Sequence, residues 1–413
     1  MRNTFFSLLI FLLPATVHTA LAQNCNGRYE TEIFSGFTKT TVQYTDVYTV
    51  RPGDGDTLKM DIYQPDGDTF AKRPVIIMAH GGTFYQGDRT ESTCTTMCEL
   101  FAKRGYVSAS IDYRLANSQP DLLDSLNALA IALKAVGDMK ASVRYFKKDA
   151  ATLNELRIDP NQIWVGGNSA GAITALHAAF VNDTAELPAH IKPIVAQGGG
   201  IDGNSGNPGY SSAVSGVINL AGGINILQWI GADDMPIVSC HGNSDPTVPY
   251  NCGNVLYSFL DNLVDLCGSG AIHSWCAQIG TEDTLLTFPG DLHVPWENNT
   301  SKRNLMTAFV LDFVSKHTIC DSSAVGIRNN ISVKNLVSVY PNPASDKVTI
   351  RIESQVGKEK VEVEIFDAVG KSVKQEIFSS KEIHLNISDL EKGVYLLQIK
   401  TGGQSSTTLL HKL

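Results

Sequence analysis

The chain has 413 residues, a formal net charge of −9 and an isoelectric point near 5.6. That acidity argues against a nucleic-acid partner, which needs a basic face for phosphate. Hydrophobic residues at 43% beside 18% charged fit a globular protein, and the length leaves room for more than one domain.

Residues 1–22 have the layout of a secretory signal peptide. Arg2 is the positive start, the apolar run 5–13 follows, and Ala20-Leu21-Ala22 is a small-x-small cleavage site, so the mature chain is expected to begin at Gln23. The run is short for a membrane span; an N-terminal anchor is the alternative. An exported chain with eight cysteines suggests disulfides. The near neighbours Cys94/Cys98, Cys240/Cys252 and Cys267/Cys276 are the natural pairs, which leaves Cys25 with Cys320. Metal binding by Cys94-x-x-x-Cys98 is the alternative, without a matching second pair nearby.

Over 23–320 candidate strands alternate with helices. Strands are expected at 42–50, 58–63, 75–79, 107–111, 163–165, 193–196, 237–240 and 285–288; helices at 91–104, 122–154, 170–181, 254–266 and 304–316. The middle strands are continuous apolar runs, as in strands buried on both faces. The pattern predicts an α/β domain with a mostly parallel sheet flanked by helices. The Gly-, Ser- and Asn-rich stretch 198–223 reads as a surface excursion near the strand ends, where such sheets bind ligands. Beyond the last cysteine, 321–336 is a polar linker. Residues 337–413 alternate apolar and polar at 347–352, 361–366, 384–387 and 394–399, which predicts a small all-β sandwich.

The chemistry gathers in four loops, each after a predicted strand. Gly167-Asn168-Ser169-Ala170-Gly171 follows the strand at 163–165 and opens a helix. A serine there projects its hydroxyl from a tight turn whose neighbours must stay small. His80-Gly81-Gly82-Thr83 follows 75–79, where a glycine turn aims backbone N–H groups at an oxyanion; the N–H of Ala170 completes that pocket. Asp245, after 237–240, is the candidate acid, with Asp291 and Asp202 as rivals. His293, after 285–288, is the candidate base, its imidazole able to take and return a proton near neutral pH. His177 reads as a helix-face or core residue, His241 as shaping the acid loop, and His273 and His317 lack comparable settings. Phe84, Tyr85, Trp229, Tyr250 and Trp296 flank these loops as an aromatic pocket or as core.

The order Ser169, Asp245, His293 is that of the α/β hydrolases. With His80-Gly81-Gly82 and Asp112-Tyr113-Arg114, residues 40–317 resemble a secreted carboxylesterase of that superfamily, near its hormone-sensitive-lipase-like and feruloyl-esterase-like branches. The resemblance implies a Ser–His–Asp triad, an acyl-enzyme, no cofactor or metal, and oxyanion N–H groups on Gly82, Thr83 and Ala170. Thr83 stands where lipase-like relatives often carry a third glycine. Short-chain or aromatic esters, aryl, feruloyl or acetyl-xylan, are the expected substrates. The alternatives are an aromatic polyester hydrolase, a peptidase on the same fold, and a non-catalytic surface binding protein. In the tail, Tyr340-Pro341-Asn342-Pro343-Ala344, 365–370 and 390–395 resemble a type IX secretion sorting domain over 337–413. That implies the type IX machinery as a partner and passage through the periplasm to release or surface attachment.

Overall fold

The computed structural model describes residues 27–48, 57–184, 187–189, 191–255, 265–320, 337–340, 342, 344–352, 360–367, 371–380, 382–401 and 404–412. The segment 1–22, Cys25 and the linker 321–336 lie outside them. Contacts divide the chain into two compact units, Met1–Ser322 and Ser323–Leu413.

The first unit is built on eight strands: β1 (Phe37–Tyr48), β2 (Thr57–Pro65), β3 (Arg73–Ala79), β4 (Val107–Ile111), β5 (Ile158–Asn168), β6 (Gly216–Leu220), β8 (Ile237–Gly242) and β11 (Asp283–Phe288). They lie side by side in the order β1-β2-β4-β3-β5-β6-β8-β11. β1 and β2 are antiparallel to their neighbours, and β4 onward is parallel. Successive side chains of β3 alternate between two cores. Val75, Ile77 and Ala79 face a cluster that includes α2 (Ser125–Ala151), α3 (Ala170–Phe180) and α5 (Ser269–Ile279). Ile76 and Met78 face α1 (Ser92–Lys103) and α6 (Thr300–Lys316). Each such aliphatic side chain removed from water contributes about 1.5–3 kcal/mol, so a strand buried on both faces anchors the domain.

Three local expectations are corrected. Residues 193–196, expected as a strand, lie in the short helix α4 (Lys192–Gln197), with Pro193 in its first turn. Proline lacks the N–H a central strand must donate, whereas a helix start tolerates it. The missing strand is β6, fully buried between β5 and β8 inside the stretch read as a surface excursion. Residues 254–266 do not show the expected helix at their described ends. The short strands β9 (Cys252–Asn254) and β10 (Asp265–Gly268) pair antiparallel there, and β10 also pairs with β7 (Gly223–Ile224). The described helix that follows is α5.

The cysteine pairing also differs. Cys252 is bonded to Cys267, its direct partner across β9 and β10. Cys94, Cys98, Cys240 and Cys276 are free, buried thiols. Cys94 and Cys98 lie one turn apart on α1, where Cβ atoms stand about 5–6 Å apart, beyond the roughly 3.5–4.5 Å a disulfide needs. Cys320 is disulfide-bonded, and its expected partner Cys25 is outside the described residues. Among the described residues no cluster of His, Cys, Asp or Glu suits a metal ion, and no helix is long and apolar enough to cross a membrane.

The second unit holds β12 (Val337–Tyr340), β13 (Lys347–Ile352), β14 (Val361–Phe366), β15 (Ser372–Phe378), β16 (Glu382–Asn386), β17 (Gly393–Thr401) and β18 (Gln404–Lys412). They form two antiparallel sheets, β12-β13-β16 and β15-β14-β17-β18. Val361, Val363 and Ile365 point inward while the residues between them are partly exposed, so period-two patterning specifies which face is core.

Candidate active site

Ser169 stands where β5 ends and α3 begins, at φ 54° and ψ −116°. A side chain in that left-handed region costs about 1–3 kcal/mol and persists only where its surroundings enforce it. The enforcement is visible. The Ser169 N–H donates to the Leu220 carbonyl at 2.8 Å, at the end of β6. A Cβ on Gly167 would come 2.4 Å from the Gly171 carbonyl carbon in α3 and 2.5 Å from the Ala79 carbonyl oxygen on β3, so only glycine lets α3 close on the sheet.

His293, in the loop after β11, places Nε2 2.7 Å from Ser169 Oγ and Nδ1 2.6 Å from Asp245 Oδ2. A proton on Nδ1 satisfies the carboxylate and leaves Nε2 to accept from the serine hydroxyl. Asp245 follows β8, and its Oδ1 accepts the N–H groups of Thr247 and Val248 at 2.7 and 3.0 Å. Burial pushes the Asp245 carboxyl up, but hydrogen bonds from His241 and His293, the His293 charge and the Thr247 N–H together hold it well below the usual range. The rivals are engaged elsewhere: Asp291 pairs with Lys302 at 2.5 Å, and Asp202 accepts from Ser212. His273 pairs with Asp283 at 2.7 Å and His317 with Glu282 at 2.9 Å.

The loop from His80 to Gln86 lies against this serine, since a Cβ on Gly81 would sit 3.4 Å from Ser169 Cβ. Gly82, Thr83 and Phe84 have φ of 113°, 56° and 58°. A Cβ on Gly82 would strike the Gln86 carbonyl, whose oxygen takes the tightest position, so glycine is required there. The Thr83 hydroxyl turns back onto the Gly82 carbonyl at 2.7 Å. The Asp112-Tyr113-Arg114 run braces the loop. Tyr113 Oη donates to the His80 carbonyl at 2.8 Å and its ring stacks on the imidazole, and Asp112 binds Arg89 at 2.9 Å. Burial lowers the His80 pKa, so it remains a neutral support. Ala170 opens α3, where the first N–H groups have no intrahelical acceptor.

A cavity of about 140 Å³ is lined by Ser169, Ala170 and Thr83 together with Phe84, by Leu133 and Val136 of α2, and by Ile173 and His177 of α3. Of the five aromatics singled out from sequence, Phe84 lines it. Tyr85 packs with Ala116, Leu122 and Ile131. Trp229 is buried edge-on to His177, Trp296 is fully buried, and Tyr250 bonds Thr287 through its hydroxyl at 2.7 Å. Sequence reasoning missed the aliphatic walls. The four-residue spacing of Ser169, Ile173 and His177, one face of a helix starting at the serine, was the available signal. His177 bonds the Ile173 carbonyl and Asn225 Oδ1, both at 2.7 Å, and burial lowers its pKa. Leu133, Val136 and His177 also wall a second cavity of about 290 Å³ reaching Arg114 and Gly198.

Residues 60–231 match the BD-FAE family, an esterase-type family of α/β hydrolases, and residues 338–412 match the secretion system C-terminal sorting domain. No curated protein matches the sequence. Solved structures similar to this chain include Thermogutta terrifontis esterase 2 phosphonylated by cyclosarin, at 20% identity over 66% of this chain and 92% of that one, TM-score 0.48. The native form of the same planctomycete esterase, Est2, matches at 20% identity over 70% and 92%, TM-score 0.47. Its propionate-bound form matches at 20% over 70% and 94%, TM-score 0.47. Residues 60–231 of the first unit thus carry the signature of an esterase-type α/β-hydrolase domain, and the sorting domain marks the chain for export, to release or to the cell surface.

Proposed function

We propose that this esterase-type α/β hydrolase, with its C-terminal sorting domain, is a serine carboxylic ester hydrolase that uses Ser169, His293 and Asp245 on esters with an apolar acyl or aryl group. The observation that carries the reading is the unbroken hydrogen-bond chain from Ser169 Oγ through His293 to Asp245, at 2.7 and 2.6 Å. In this reading Ser169 Oγ attacks the ester carbonyl while His293 Nε2 takes its proton. The oxyanion meets the N–H groups of Ala170, Gly82 and Thr83. His293 returns the proton to the leaving alcohol, and a water activated by the same imidazole releases the acid from the acyl-enzyme. Asp245 holds the imidazole and stabilises its positive form. The apolar cavity beside Ser169 supports a short acyl chain or an aryl ring as its occupant. Secretion is read as starting from the signal peptide at 1–22, crossing the periplasm, and ending through the type IX machinery that recognises the tail.

The test is turnover of small chromogenic esters together with labelling by a fluorophosphonate. The wild-type chain should do both and Ser169→Ala neither; equal turnover by the two proteins sinks the assignment.

A further inference from the structure

Resting on that reading, we propose that Asn168 and Glu297 are positioning residues: an amide–carboxylate latch, buried at its amide end, sets the His293 loop against the serine turn. Asn168 precedes the serine and is 1% exposed. Its Oδ1 accepts from Trp296 Nε1 at 3.2 Å, and its Nδ2 donates to Glu297 Oε1 at 2.8 Å. The indole can only donate, which fixes the amide orientation and sends the NH2 to the carboxylate. Both partners lie within four residues of His293. Arg303 on α6 grips the other side of this segment, donating to the Trp296 and Glu297 carbonyls at 3.2 and 2.5 Å.

The latch spans two strained points. Ser169 has φ 54° and Val294, directly after His293, has φ 44°, a conformation a β-branched residue avoids. Each turn taken alone has nearby states that move its side chain off line. A single amide bonded to two consecutive side chains of the His293 loop, from a residue adjacent to the nucleophile, ties the two turns to one another. This also gives Trp296 its place: fully buried, it carries the hydrogen bond that orients Asn168.

A charge swap tests the latch, with kcat, KM and thermal midpoint measured on a short chromogenic ester. In Asn168→Asp two carboxylates face each other, and kcat should fall on the order of a hundredfold while KM stays within about threefold, the signature of lost alignment. Glu297→Gln keeps an acceptor for the amide and replaces a charge-assisted bond with one roughly half as strong, so its loss should be the smaller. In the double variant N168D/E297Q the carboxylate and amide exchange sides, and kcat should return to within about tenfold of wild type. A double variant no faster than N168D, or an N168D variant with wild-type kcat when folded, overturns the positioning role even if its thermal midpoint drops. A wild-type chain inert toward esters removes the functional reading, and this role with it.

Discussion

His241 Nε2 lies 3.1 Å from Asp245 Oδ2, the oxygen that also binds His293. Nε2 faces a second acceptor, the Val248 carbonyl at 3.1 Å, so it carries the proton; Nδ1 is 2.8 Å from Ser269 Oγ, which in turn is bonded by Asn219 Nδ2 at 3.1 Å. A buried polar chain therefore runs from β6 through the start of α5 to Asp245. It fills the lone pairs that would otherwise make a buried carboxylate costly.

Asp245→Asn tests that arrangement. Turnover should fall by on the order of ten-thousandfold, since an amide favours the wrong imidazole tautomer. Stability should respond with a defined sign. The Asp245 pKa is lowered in the fold, so its contribution is present above the ordinary carboxylate value of 3.8 and is lost as pH falls through the folded value. The gap in thermal midpoint between wild type and variant should be full near neutrality and close in strong acid; a constant gap contradicts it.

The proposed oxyanion loop gives a paired prediction. Gly82→Ala forces a methyl onto the Gln86 carbonyl and displaces the loop, so kcat should drop on the order of a hundredfold. Thr83→Gly keeps the backbone N–H and relieves a positive-φ side chain, about 1–3 kcal/mol of strain against about 0.4–1 kcal/mol of added freedom in the unfolded chain, so activity should be retained and stability should not fall. Steady-state kinetics with denaturant unfolding reads both; a Thr83→Gly variant as damaged as Gly82→Ala assigns the Thr83 side chain a direct role.

His177 lines both the cavity beside Ser169 and the larger one, and so stands between the proposed acyl site and that second space. Truncation by His177→Ala should join the two and move the preferred acyl chain to greater length, with kcat/KM for the shortest ester lowered. A homologous series of straight-chain esters reads the shift. An unchanged preference means the acyl group lies elsewhere.

Cys252–Cys267 closes a loop of 15 residues beside Val248 and Leu266, two residues of the cavity wall. Replacing both cysteines by serine should lower stability by about 3 kcal/mol through the unfolded chain. Reduction of the wild-type protein should lower its thermal midpoint and that of the double variant should not move further from this bond.

The parts of the molecule that sequence exposed best are those where one side chain needs one environment. Ser169, Asp245 and His293 each follow an apolar run at a strand end, and the structure brings them together across 124 residues of chain. The aromatics are the opposite case. Trp296 and Phe84 carry the same apolar signal, yet one is core and the other lines the cavity, since size and hydrophobicity do not encode which face of a loop is wet. β6 was hidden because four of its five residues, Val217 to Leu220, follow a glycine- and serine-rich approach whose local preference is for turns; burial between two neighbours overrides that preference. Asn168 was equally mute, as its role depends on a tryptophan and a glutamate 128 and 129 residues away.

The four sealed thiols impose a schedule on the chain. Cys94, Cys98, Cys240 and Cys276 are buried with their acidity suppressed, so the reactive thiolate is scarce once α1, β8 and α5 are in place. Before that, every cysteine in an exported polypeptide competes for the same oxidant. Burial of these four thiols ahead of oxidation is therefore what correct pairing requires, and the folded protein is expected to resist thiol oxidants at these positions.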